Sequence, residues 1–578
     1  MLNTVRLDFE NELFDFKEPI AVLSAKTLND VSTLFNQLTD YQEQGYYIAG
    51  FVSYEAASAF NPNLKTHQSL SDFPLALFGI YADKTCPDPQ QLTSNDSPFF
   101  FEKDTDFTNY QQKIKRIHNE IKDGNTYQTN YTIRLNSQVF TDYDGLSVYH
   151  DLLKHSAVKY SSFFDLDNHQ ILSASPELFF KVTNQTIETR PMKGTVRRDS
   201  NPEIDQKNQQ FLAADEKNRS ENIMIVDLLR NDLGQIAQPG SVSVTKLCTI
   251  EPYPTVWQMT STIKASITPT TTILDLFKAL FPCGSITGAP KKTTMDLITE
   301  LEDSPRGVYC GAIGVIKPNG DMIFSVPIRT IQVDKKAQTA RYGVGGGITW
   351  ESTAHDEFDE ISAKANVLST IFPQIKLIES LRLENGTLKR LEKHLDRLES
   401  SAKQFNFPFN REKTRSQWLK AIKPYQDGLF KFRCELSSDG NKVTEVLPLT
   451  SDTTIKTAHL AKKAVSKTIL LAHKTSYRHL YTVHQEKPMV ETILWQADGR
   501  LTELMTGNLV VQLEGVLYTP RLNHHILPGV MRQELLAQQK IVEKDLTVDD
   551  LNQAEALYLI NSVREWVPIQ LITNDDSL

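Results

Sequence analysis

Through the first 100 residues, apolar and polar positions alternate or form short apolar runs, a pattern that predicts β-strands. The clearest of these runs spans residues 45–56. Residues 106–123 then place apolar side chains at helical spacing and predict a helix. A longer helical stretch is predicted over roughly 204–233, and Gly234 would end it.

Strands and helices continue to mix up to residue 372. We predict strands over 171–182 and 322–333 and a glycine-rich strand over 342–350. A helix over 356–372 ends before Pro373, where the pattern restarts. This mixture favours an α/β fold, or α+β in the stricter sense.

Beyond that proline, residues 376–405 read as a strand, a turn at Asn385-Gly386 and a helix. No internal repeat or low-complexity segment follows. We therefore predict two units, 1–372 and 373–578, and place the catalytic core of the first at about 105–372.

Composition and charge narrow the possible functions. Of 578 residues, 40% are hydrophobic and 23% charged, which is typical of a folded globular protein. The net charge is −9, and no cluster of five or more lysines and arginines occurs, so binding to nucleic acid or to an anionic membrane is not expected. No run of 18 apolar residues could span a bilayer.

The five cysteines are scattered, odd in number and without a C-x-x-C pair, which favours a reducing compartment. The N-terminal stretch carries acidic residues where a signal peptide would need an apolar run. We expect the protein in the cytoplasm.

Two glycine-rich segments do not support nucleotide binding. The segment 343–348 has Ile348 where a dinucleotide fingerprint needs its third glycine. The segment 284–294 has Pro290 before the lysine where a P-loop needs glycine.

Carboxylates on two predicted helices form a candidate metal site. Glu357, Glu360 and Lys364 share one helical face, opposite an apolar stripe. Glu221 lies beside the apolar face of an earlier helix. Such charges can simply form a solvated face, or the two helices can share one Mg²⁺, which takes one or two carboxylates together with substrate oxygens and water.

Seven segments are more specific together than alone: PMKGT (191–195), MIVDLLRNDLG (224–234), GSITGAPK (284–291), GVYCGAIG (307–314), IRT (328–330), GGGI (345–348) and the helix with Glu357, Glu360 and Lys364. In this order they resemble the chorismate-utilising family, which includes anthranilate synthase, isochorismate synthase and the large component of aminodeoxychorismate synthase. The resemblance covers roughly residues 105–372. It implies two antiparallel sheets flanked by helices, with the active site between them.

The resemblance also implies roles for individual residues. Glu221 and Glu360, with Glu357 close behind, would hold Mg²⁺ against the ring carboxylate of chorismate. Further residues would bind the substrate itself: Gly194 and Thr195 at the ring carboxylate, Tyr309, Arg329 and the amides near Gly346 at the enolpyruvyl carboxylate, and Lys364 beside them. Local positive charge of this kind is needed because chorismate is a dianion and the protein is acidic overall.

Lys193 distinguishes between members of the family. The anthranilate synthase pattern has alanine at this position, whereas the aminodeoxychorismate synthase pattern has lysine, as in PMKGT here. By resemblance, Lys193 would add covalently to the ring and expel the 4-hydroxyl, so that ammonia enters at C4. The bland alternative is a surface lysine.

One departure concerns the proton for the departing hydroxyl. Gln258 stands where many relatives have a histidine, and glutamine cannot act as a general acid. Either Lys193 or another group would then supply the proton, or the first step would be slow. No cysteine lies in a glutaminase-type G-x-C-x-G elbow, so a separate glutamine amidotransferase subunit, or free ammonia, would supply the nitrogen.

The second unit carries a different pattern. Lys474 is predicted at the end of a strand, where a lysine can reach into a cleft, although most lysines are simply solvated. Four further segments are KHLDRLESSA (393–402), GRLTELMTGNLVV (499–511), TPRLNHHILPGVMR (519–532) and YLINSVREWVPI (558–569). Together they resemble the class IV pyridoxal-phosphate enzymes, which include branched-chain and D-amino-acid transaminases and aminodeoxychorismate lyase.

This second resemblance implies a two-subdomain fold and a pyridoxal 5'-phosphate site. The implied residues are Lys474 as Schiff-base lysine and proton shuttle, Glu503 at the pyridinium nitrogen, Arg397 on the phosphate, and the amides of Val530 and Met531 with the hydroxyl of Ser562 around the phosphate. Met531 departs from relatives that have a threonine there. Relatives with this fold often dimerise, which makes a homodimer possible.

Together the two resemblances imply consecutive steps. The first unit would convert chorismate to 4-amino-4-deoxychorismate, and the second would eliminate pyruvate to give 4-aminobenzoate, a folate precursor. Two alternatives stay open. One is an anthranilate synthase component with a fused aminotransferase; the other is an active synthase whose second unit only docks the glutaminase.

Overall fold

The computed structural model divides the chain into two compact units, Met1–Pro373 and Gln374–Leu578. The structure describes residues 2–70, 72–85, 99, 101–139, 144–156, 158–253, 256–372, 375–405, 407–450, 455–465, 469–485, 487–522 and 526–572. Pro373, where the boundary is predicted, and Cys86 lie outside these residues.

The first unit is built from strands and nine helices within the described ranges. Its strands are β1 (Leu2–Phe9), β2 (Glu12–Lys17), β3 (Ala21–Ala25), β4 (Tyr47–Val52), β5 (Ala76–Tyr81), β6 (Glu102–Lys103), β7 (Gln128–Gln138), β8 (Tyr160–Leu166), β9 (His169–Ser175), β10 (Leu178–Thr183), β11 (Thr186–Arg190), β12 (Met192–Arg197), β13 (Ser243–Pro252), β14 (Val256–Ser266), β15 (Gly288–Ala289), β16 (Ala312–Ile316), β17 (Met322–Ser325), β18 (Thr330–Asp334) and β19 (Thr339–Ile348). Its helices are α1 (Leu28–Glu43), α2 (Ala57–Phe60), α3 (Phe107–Lys122), α4 (Gly145–His155), α5 (Pro202–Ala214), α6 (Glu216–Gly234), α7 (Ile273–Leu280), α8 (Lys291–Leu301) and α9 (Ala354–Ile371).

These strands form two antiparallel sheets, which confirms the predicted fold class. One sheet has the order β15-β7-β19-β18-β9-β8-β1-β2, with β6 on β7. The other has the order β12-β14-β11-β10-β17-β16-β4-β5-β3, with β13 on β14. A fully buried cluster joins residues of both sheets, among them Val5 and Phe164 from the first and Phe51 and Ile313 from the second. Burying each such side chain stabilises the fold by about 1.5–3 kcal/mol.

Two strands that the sequence predicts as continuous each divide between the two sheets. The 171–182 prediction is wrong in this respect, because β9 belongs to the first sheet and β10 to the second. The 322–333 prediction fails in the same way, since β17 and β18 lie in different sheets. The apolar pattern continues through both crossings because each strand is buried on both sides.

The predicted helix over 204–233 is two helices. Asp215 ends α5 in an extended conformation, and its carboxylate accepts a hydrogen bond from the Asn218 amide to cap α6. An aspartate at this position satisfies one of the free amides of the second helix. Helix α6, which carries Glu221, packs against β14, β12 and β13.

The second unit has its own pair of sheets. Its strands are β20 (Leu377–Glu384), β21 (Thr387–Leu388), β22 (Leu429–Leu436), β23 (Lys442–Pro448), β24 (Lys456–Leu460), β25 (Glu491–Trp495), β26 (Leu501–Leu504), β27 (Gly507–Leu513), β28 (Val516–Pro520), β29 (Val542–Lys544), β30 (Ala556–Asn561) and β31 (Glu565–Leu571). Its helices are α10 (Leu391–Gln404), α11 (Arg411–Ala421), α12 (His479–Thr482), α13 (Val530–Ala537) and α14 (Val548–Asn552).

The smaller sheet has the order β21-β20-β22-β23 and carries α10 and α11 on one face. The larger has the order β26-β25-β24-β31-β30-β27-β28-β29 and mixes parallel with antiparallel pairs. This arrangement confirms the two-subdomain prediction. No helix among the described residues is both long and apolar enough to cross a membrane.

The strand predicted to run into Lys474 is wrong. Residues Ile469–Ala472 form a short 3-10 turn, and Lys474 follows in extended backbone beside β20. The Ile378 amide donates to the Lys474 carbonyl at 2.7 Å, and the Ser476 amide donates to the Lys376 carbonyl at 2.8 Å. Pairing with β20 therefore fixes the lysine without a strand before it.

Candidate functional sites

The two crossings between the sheets of the first unit lie side by side. The Val326 amide donates to the Glu177 carbonyl at 3.1 Å, and the Ser175 hydroxyl donates to the Val326 carbonyl. Glu177 stands in the first crossing, and Arg329, at a positive φ of 53°, stands in the second. The fold thus brings one carboxylic acid, Glu177, and one positively charged residue, Arg329, to the place where the sheets meet.

Glu177 is a functional candidate that the sequence prediction missed. Its side chain is buried, and Oε1 has no hydrogen-bond partner among the described residues. Burial raises the pKa of this carboxyl to about 7, although the nearby Ser285 and Lys193 oppose the shift. A buried carboxyl with a pKa near neutrality can hold and release a proton at working pH.

Lys193 extends from β12 toward Glu177 and Glu221, and we call the space beside these three side chains the cleft. Its Nζ lies 3.9 Å from Glu221 Oε2, and both side chains are almost buried. The register of β12 against β14 shifts between Lys193 and Thr195, with Gly194 between them at a φ of +73°. A glycine bulge of this kind redirects a neighbouring side chain, here the lysine.

Gln258 fastens that bulge with both ends of its amide. The Thr195 hydroxyl donates to Oε1 at 2.7 Å, and Nε2 donates to the Gly194 carbonyl at 2.7 Å. The Gln258 side chain therefore stabilises the bulge. This structural role is consistent with glutamine, which cannot act as a general acid. Because the Thr195 hydroxyl has one proton, it can donate to a substrate carboxylate only when it leaves Gln258.

Each of the three predicted metal ligands has a lysine close to its carboxylate. Lys217 lies 3.7 Å from Glu357, and Lys364 lies 2.8 Å from Glu360. Burial and then the charges of Glu357 and Glu360 raise the pKa of Glu221, while Lys193 and Lys217 oppose that shift. The three carboxylates thus act on one another. Within the described chain, however, no three His, Cys, Asp or Glu side chains stand close enough to hold a metal as they are.

The glycines of β19 form the floor of this cleft. A Cβ on Gly346 would lie 3.2 Å from Glu357 Oε2 and 3.5 Å from Lys364 Nζ. A Cβ on Gly347 would lie 2.0 Å from Gln128 Nε2 and 3.1 Å from Lys193 Nζ. Lys364 also donates to the Gly345 carbonyl at 2.8 Å. Only glycine leaves room for these charged groups and a ligand together.

Tyr309 and Arg329, the residues predicted at the enolpyruvyl carboxylate, have different surroundings. The Tyr309 ring is buried, with Arg134 stacked over it at 5.6 Å, and a Cβ on Gly343 would lie 2.2 Å from that ring. Burial raises the pKa of Tyr309 well above its usual value, so the phenol stays protonated. The Arg329 guanidinium is half-buried and has no ion pair or hydrogen bond with any described residue, so it can bind a carboxylate.

In the second unit, a cavity of about 510 Å³ lies between the two sheets. Lys474, Arg397, Glu503, Val530, Met531 and Ser562 all line it, so the structure brings together every cofactor residue predicted for this unit. The pKa of Lys474 falls to about 8 because the amine is buried and because Arg397 and Arg478 repel its proton. Such an amine is partly neutral, and therefore nucleophilic, near physiological pH.

Glu503 fits a pyridinium partner. Its carboxyl is buried on β26, accepts from the Tyr481 hydroxyl at 3.0 Å and faces Asn508 Nδ2 at 3.4 Å. Burial raises the pKa of this carboxyl to about 8. No side-chain cation within the described ranges forms an ion pair with it. A protonated ring nitrogen would supply the missing charge.

Arg397 is already held by another carboxylate. Its Nε and Nη2 donate to Glu379 at 2.9 and 2.7 Å, and His394 Nδ1 lies 2.6 Å from the same carboxylate. Burial alone would raise the pKa of Glu379, but Arg397 and the His394 ring outweigh it and lower that pKa to about 2. The remaining nitrogen, Nη1, makes only a long hydrogen bond of 3.5 Å to the Pro528 carbonyl. It can therefore donate to a phosphate instead.

The other predicted phosphate donors also face the cavity. Helix α13 begins at Val530, and the first amides of a helix have no partner inside it. Gly529 precedes it, and a Cβ there would lie 1.9 Å from Asn508 Oδ1. The Met531 side chain packs in a small apolar cluster, so its amide is the group left for a phosphate. Ser562 is nearly buried and lines the same cavity.

Comparison with models of known protein families shows to which family the chain belongs. The family model described as chorismate binding enzyme matches residues 10–370. The chain belongs to the chorismate binding enzymes. A second family model, described as amino-transferase class IV, matches residues 376–572 of the same chain. Both resemblances found in the sequence are therefore confirmed.

Individual relatives agree with the first match. The chain is 40% identical over 258 residues to aminodeoxychorismate synthase component 1 of Salmonella typhimurium, which covers 44% of this chain and 56% of that protein. It is 38% identical over 262 residues to the protein of the same name from Escherichia coli K12, with the same two shares covered. The chain thus spans little more than half the length of these relatives.

A solved structure supports the fold. Anthranilate synthase component I from Streptococcus pneumoniae superposes with a TM-score of 0.53 at 25% identity. The superposition covers 64% of this chain and 90% of that one. The first unit therefore has the two-sheet fold of that enzyme.

Proposed function

We propose that this chorismate binding enzyme makes 4-aminobenzoate from chorismate in two steps, one in each unit. The observation that carries the first step is the position of Lys193, whose amine lies 3.9 Å from Glu221 in a cleft floored by glycines. The relatives named aminodeoxychorismate synthase component 1 support the same chemistry.

In the first step, the Lys193 amine would bond to the ring carbon vinylogous to C4 while the C4–O bond breaks. Glu177 would give its proton to the departing hydroxyl, which leaves as water. Ammonia would then bond to C4 and release Lys193, giving 4-amino-4-deoxychorismate. Arg329 would hold one substrate carboxylate, and the glycine floor beside Gly346 would admit the rest.

The carboxylates fit Mg²⁺ once a substrate carboxylate joins them. Glu357 and Glu360 act electrostatically on Glu221, and the counter-charges of the three carboxylates are lysines. Bound there, Mg²⁺ would neutralise the ring carboxylate of chorismate. Two carboxylates and a substrate oxygen are the donors that this ion prefers.

We propose that the ammonia comes from a glutamine amidotransferase subunit. Cys248, Cys283, Cys310 and Cys434 are all buried. Burial raises the pKa of Cys283 to about 12 and of Cys310 to about 11, which makes these thiols poor nucleophiles. The free thiols also support the cytoplasm as the location.

In the second step, pyridoxal 5'-phosphate fits the cavity of the second unit, where it would supply an electron sink. Glu503 would hold the ring nitrogen, and Arg397, the start of α13 and Ser562 would hold the phosphate. Lys474 would remove the proton from ring carbon C4 as pyruvate leaves and the ring becomes aromatic. Assembly as a homodimer through this unit belongs to the same proposal.

Both alternatives from the sequence are less well supported. An anthranilate synthase has no evident use for a lysine amine beside Glu221. A docking module has no need for a buried lysine whose pKa is about 8 beside a buried glutamate of similar pKa.

Two separate assays test the steps. Chorismate, ammonium and Mg²⁺ should give 4-amino-4-deoxychorismate with the Lys474→Ala variant, and nothing with Lys193→Ala. Supplied 4-amino-4-deoxychorismate should give 4-aminobenzoate and pyruvate in equal amounts with Lys193→Ala, and nothing with Lys474→Ala. Anthranilate in the first assay would contradict the assigned first step.

A further inference from the structure

We propose that Lys431 and Arg564 form a carboxylate-binding site in the cavity of the second unit, which selects a dicarboxylic substrate over ordinary amino acids. The inference rests on the proposed lyase step and names the residues that recognise its substrate. Both side chains line the cavity that holds Lys474.

Lys431 reaches the cavity from β22. Successive residues of a strand point to opposite faces, so Lys431 and Arg433 share one face. In the pairing with β20, Arg382 lies opposite Lys431 and Ser380 lies opposite Arg433. Because Ser380, Lys431 and Arg433 all line the cavity, this face of the smaller sheet forms its wall.

Arg564 reaches the cavity from the turn between β30 and β31. The Asn561 side chain accepts from the amides of Val563 and Arg564 at 3.0 and 2.8 Å, which fixes the turn. Arg382 Nη1 donates to the Val563 carbonyl at 3.3 Å and ties the turn to β20. The turn is thus held beside the wall that carries Lys431.

The charge of Glu445 acts on Lys431, but no carboxylate among the described residues pairs with either cation. Neither Lys431 nor Arg564 forms an ion pair or a side-chain hydrogen bond with a described residue. By contrast, Arg433 pairs with Glu435 at 2.8 Å. Burial, together with the charges of Arg433 and Arg564, lowers the pKa of Lys431. Two unpaired cations in one cavity favour an anionic ligand.

This pair lies away from the reacting end. The Lys474 carbonyl accepts from the Ile378 amide of β20, whereas Lys431 lies opposite Arg382, four residues farther along the same strand. Arg564 follows Val563, whose carbonyl accepts from that same Arg382 side chain. A substrate whose amine reaches Lys474 could therefore place carboxylates at Lys431 and Arg564, as a ring with two carboxylate groups would.

The test uses the full chain loaded with pyridoxal phosphate and the double variant Lys431→Gln/Arg564→Gln. With 4-amino-4-deoxychorismate supplied, we expect KM to rise about 100-fold, at roughly tenfold for each of the two lost charged contacts, with kcat within about threefold. The Lys431→Arg variant keeps a positive charge at this position, so it should bind the substrate with most of the affinity of the unchanged chain. Lys413→Gln/Lys420→Gln, which removes two exposed and unpaired charges from α11, should change neither constant.

A KM within twofold of the unchanged chain would overturn the inference. So would a parallel loss of pyridoxal phosphate affinity, because the two cations would then hold the phosphate of the cofactor. A second readout does not depend on activity: isophthalate, a rigid dicarboxylate, should shift the cofactor absorption of the unchanged chain and act at least tenfold more weakly on the double variant.

The two readouts separate this inference from the proposed function. If the chain binds isophthalate through Lys431 and Arg564 but releases no pyruvate, the lyase proposal fails and the carboxylate site stands. If pyruvate is released and the double variant Lys431→Gln/Arg564→Gln keeps the KM of the unchanged chain, the lyase proposal stands and the carboxylate site fails.

Discussion

At the scale of single residues, buried groups with shifted pKa values mark both sites. Among the described residues, Glu177 Oε1 has no hydrogen-bond partner, and its carboxyl has a pKa of about 7. Glu503 is buried and forms no ion pair with a described residue, and its pKa is about 8. Lys474 is an amine with a pKa of about 8. Such groups cost stability unless a ligand or a reaction uses them.

The sequence predicts most of these residues but not Glu177. Lys193, Lys474 and Glu503 stand in motifs that carry a family resemblance. Glu177 lies inside what the apolar pattern predicts as one strand, and the sheet crossing that buries it comes from tertiary structure. The available signal was an acid directly after Pro176 in an otherwise apolar run.

The Glu177→Gln variant should lose chorismate amination by about 100-fold or more, the usual size of general-acid catalysis. In the unchanged chain, the acid must be protonated, so its contribution is present below about pH 7 and disappears as pH rises through 7. The variant should lack this limb of the pH profile. Steady-state rates from pH 5.5 to 9 measure it. The control is Glu188→Gln, at a half-buried carboxylate that pairs with Lys264, and it should leave both rate and profile intact; an unchanged profile in Glu177→Gln would contradict the assignment.

Lys474 should combine with pyridoxal phosphate at unusually low pH. Only the neutral amine reacts, so the rate at which the cofactor gains its visible absorption should rise through about pH 8 rather than through about 10.5. Stopped-flow absorbance at several pH values checks this. Lys474→Ala should show no such band, whereas Lys413→Ala should behave as the unchanged chain does. A midpoint near pH 10 would contradict the buried environment of the amine.

At the scale of elements, crossings between sheets shape the first site. The sequence predicts the strands around Glu177 and Arg329 and their hydrophobic character, yet it cannot show that each strand changes sheet halfway. Periodicity reports burial, and both halves are buried. Likewise, the break at Asp215 is encoded by a capping residue that a continuous helical pattern hides.

Strand β19 offers a direct test of the glycine floor. In Gly347→Ala, the new Cβ would meet the ends of the Gln128 and Lys193 side chains at 2.0 and 3.1 Å. Both side chains are flexible, so the fold should survive while Lys193 is displaced and amination falls by about tenfold or more. Gly234→Ala, whose Cβ meets nothing within 4 Å, is the matched control. Full activity of Gly347→Ala would show that the lysine does not act from this position.

The Glu379 carboxylate links β20 to α10. Its pKa of about 2, against an ordinary 4.5, corresponds to about 3 kcal/mol of unfolding free energy at neutral pH. Since the folded pKa is the lower one, this stability is present above pH 4.5 and is lost as pH falls toward 2. Glu379→Gln should therefore speed hydrogen exchange of α10 amides at pH 7 and remove much of its acid dependence. Glu445→Gln, an exposed change on β23, is the control, and equal exchange in both variants would contradict the link.

At the scale of the whole molecule, two enzyme families share one chain. The chorismate binding model ends at residue 370, and the class IV model begins at 376, beside the division into Met1–Pro373 and Gln374–Leu578. Each unit contains its own complete set of candidate groups. The product of the first proposed step is the substrate of the second, which gives the fusion a chemical reason.

The most direct test of the account follows one nitrogen atom through both steps. The full chain is incubated with chorismate, ¹⁵N-ammonium, Mg²⁺ and pyridoxal phosphate, and the products are identified by chromatography and mass. We expect ¹⁵N-labelled 4-aminobenzoate and pyruvate in equal amounts. Labelled anthranilate, or labelled 4-amino-4-deoxychorismate that accumulates without pyruvate, would contradict the central claim that one chain performs both reactions.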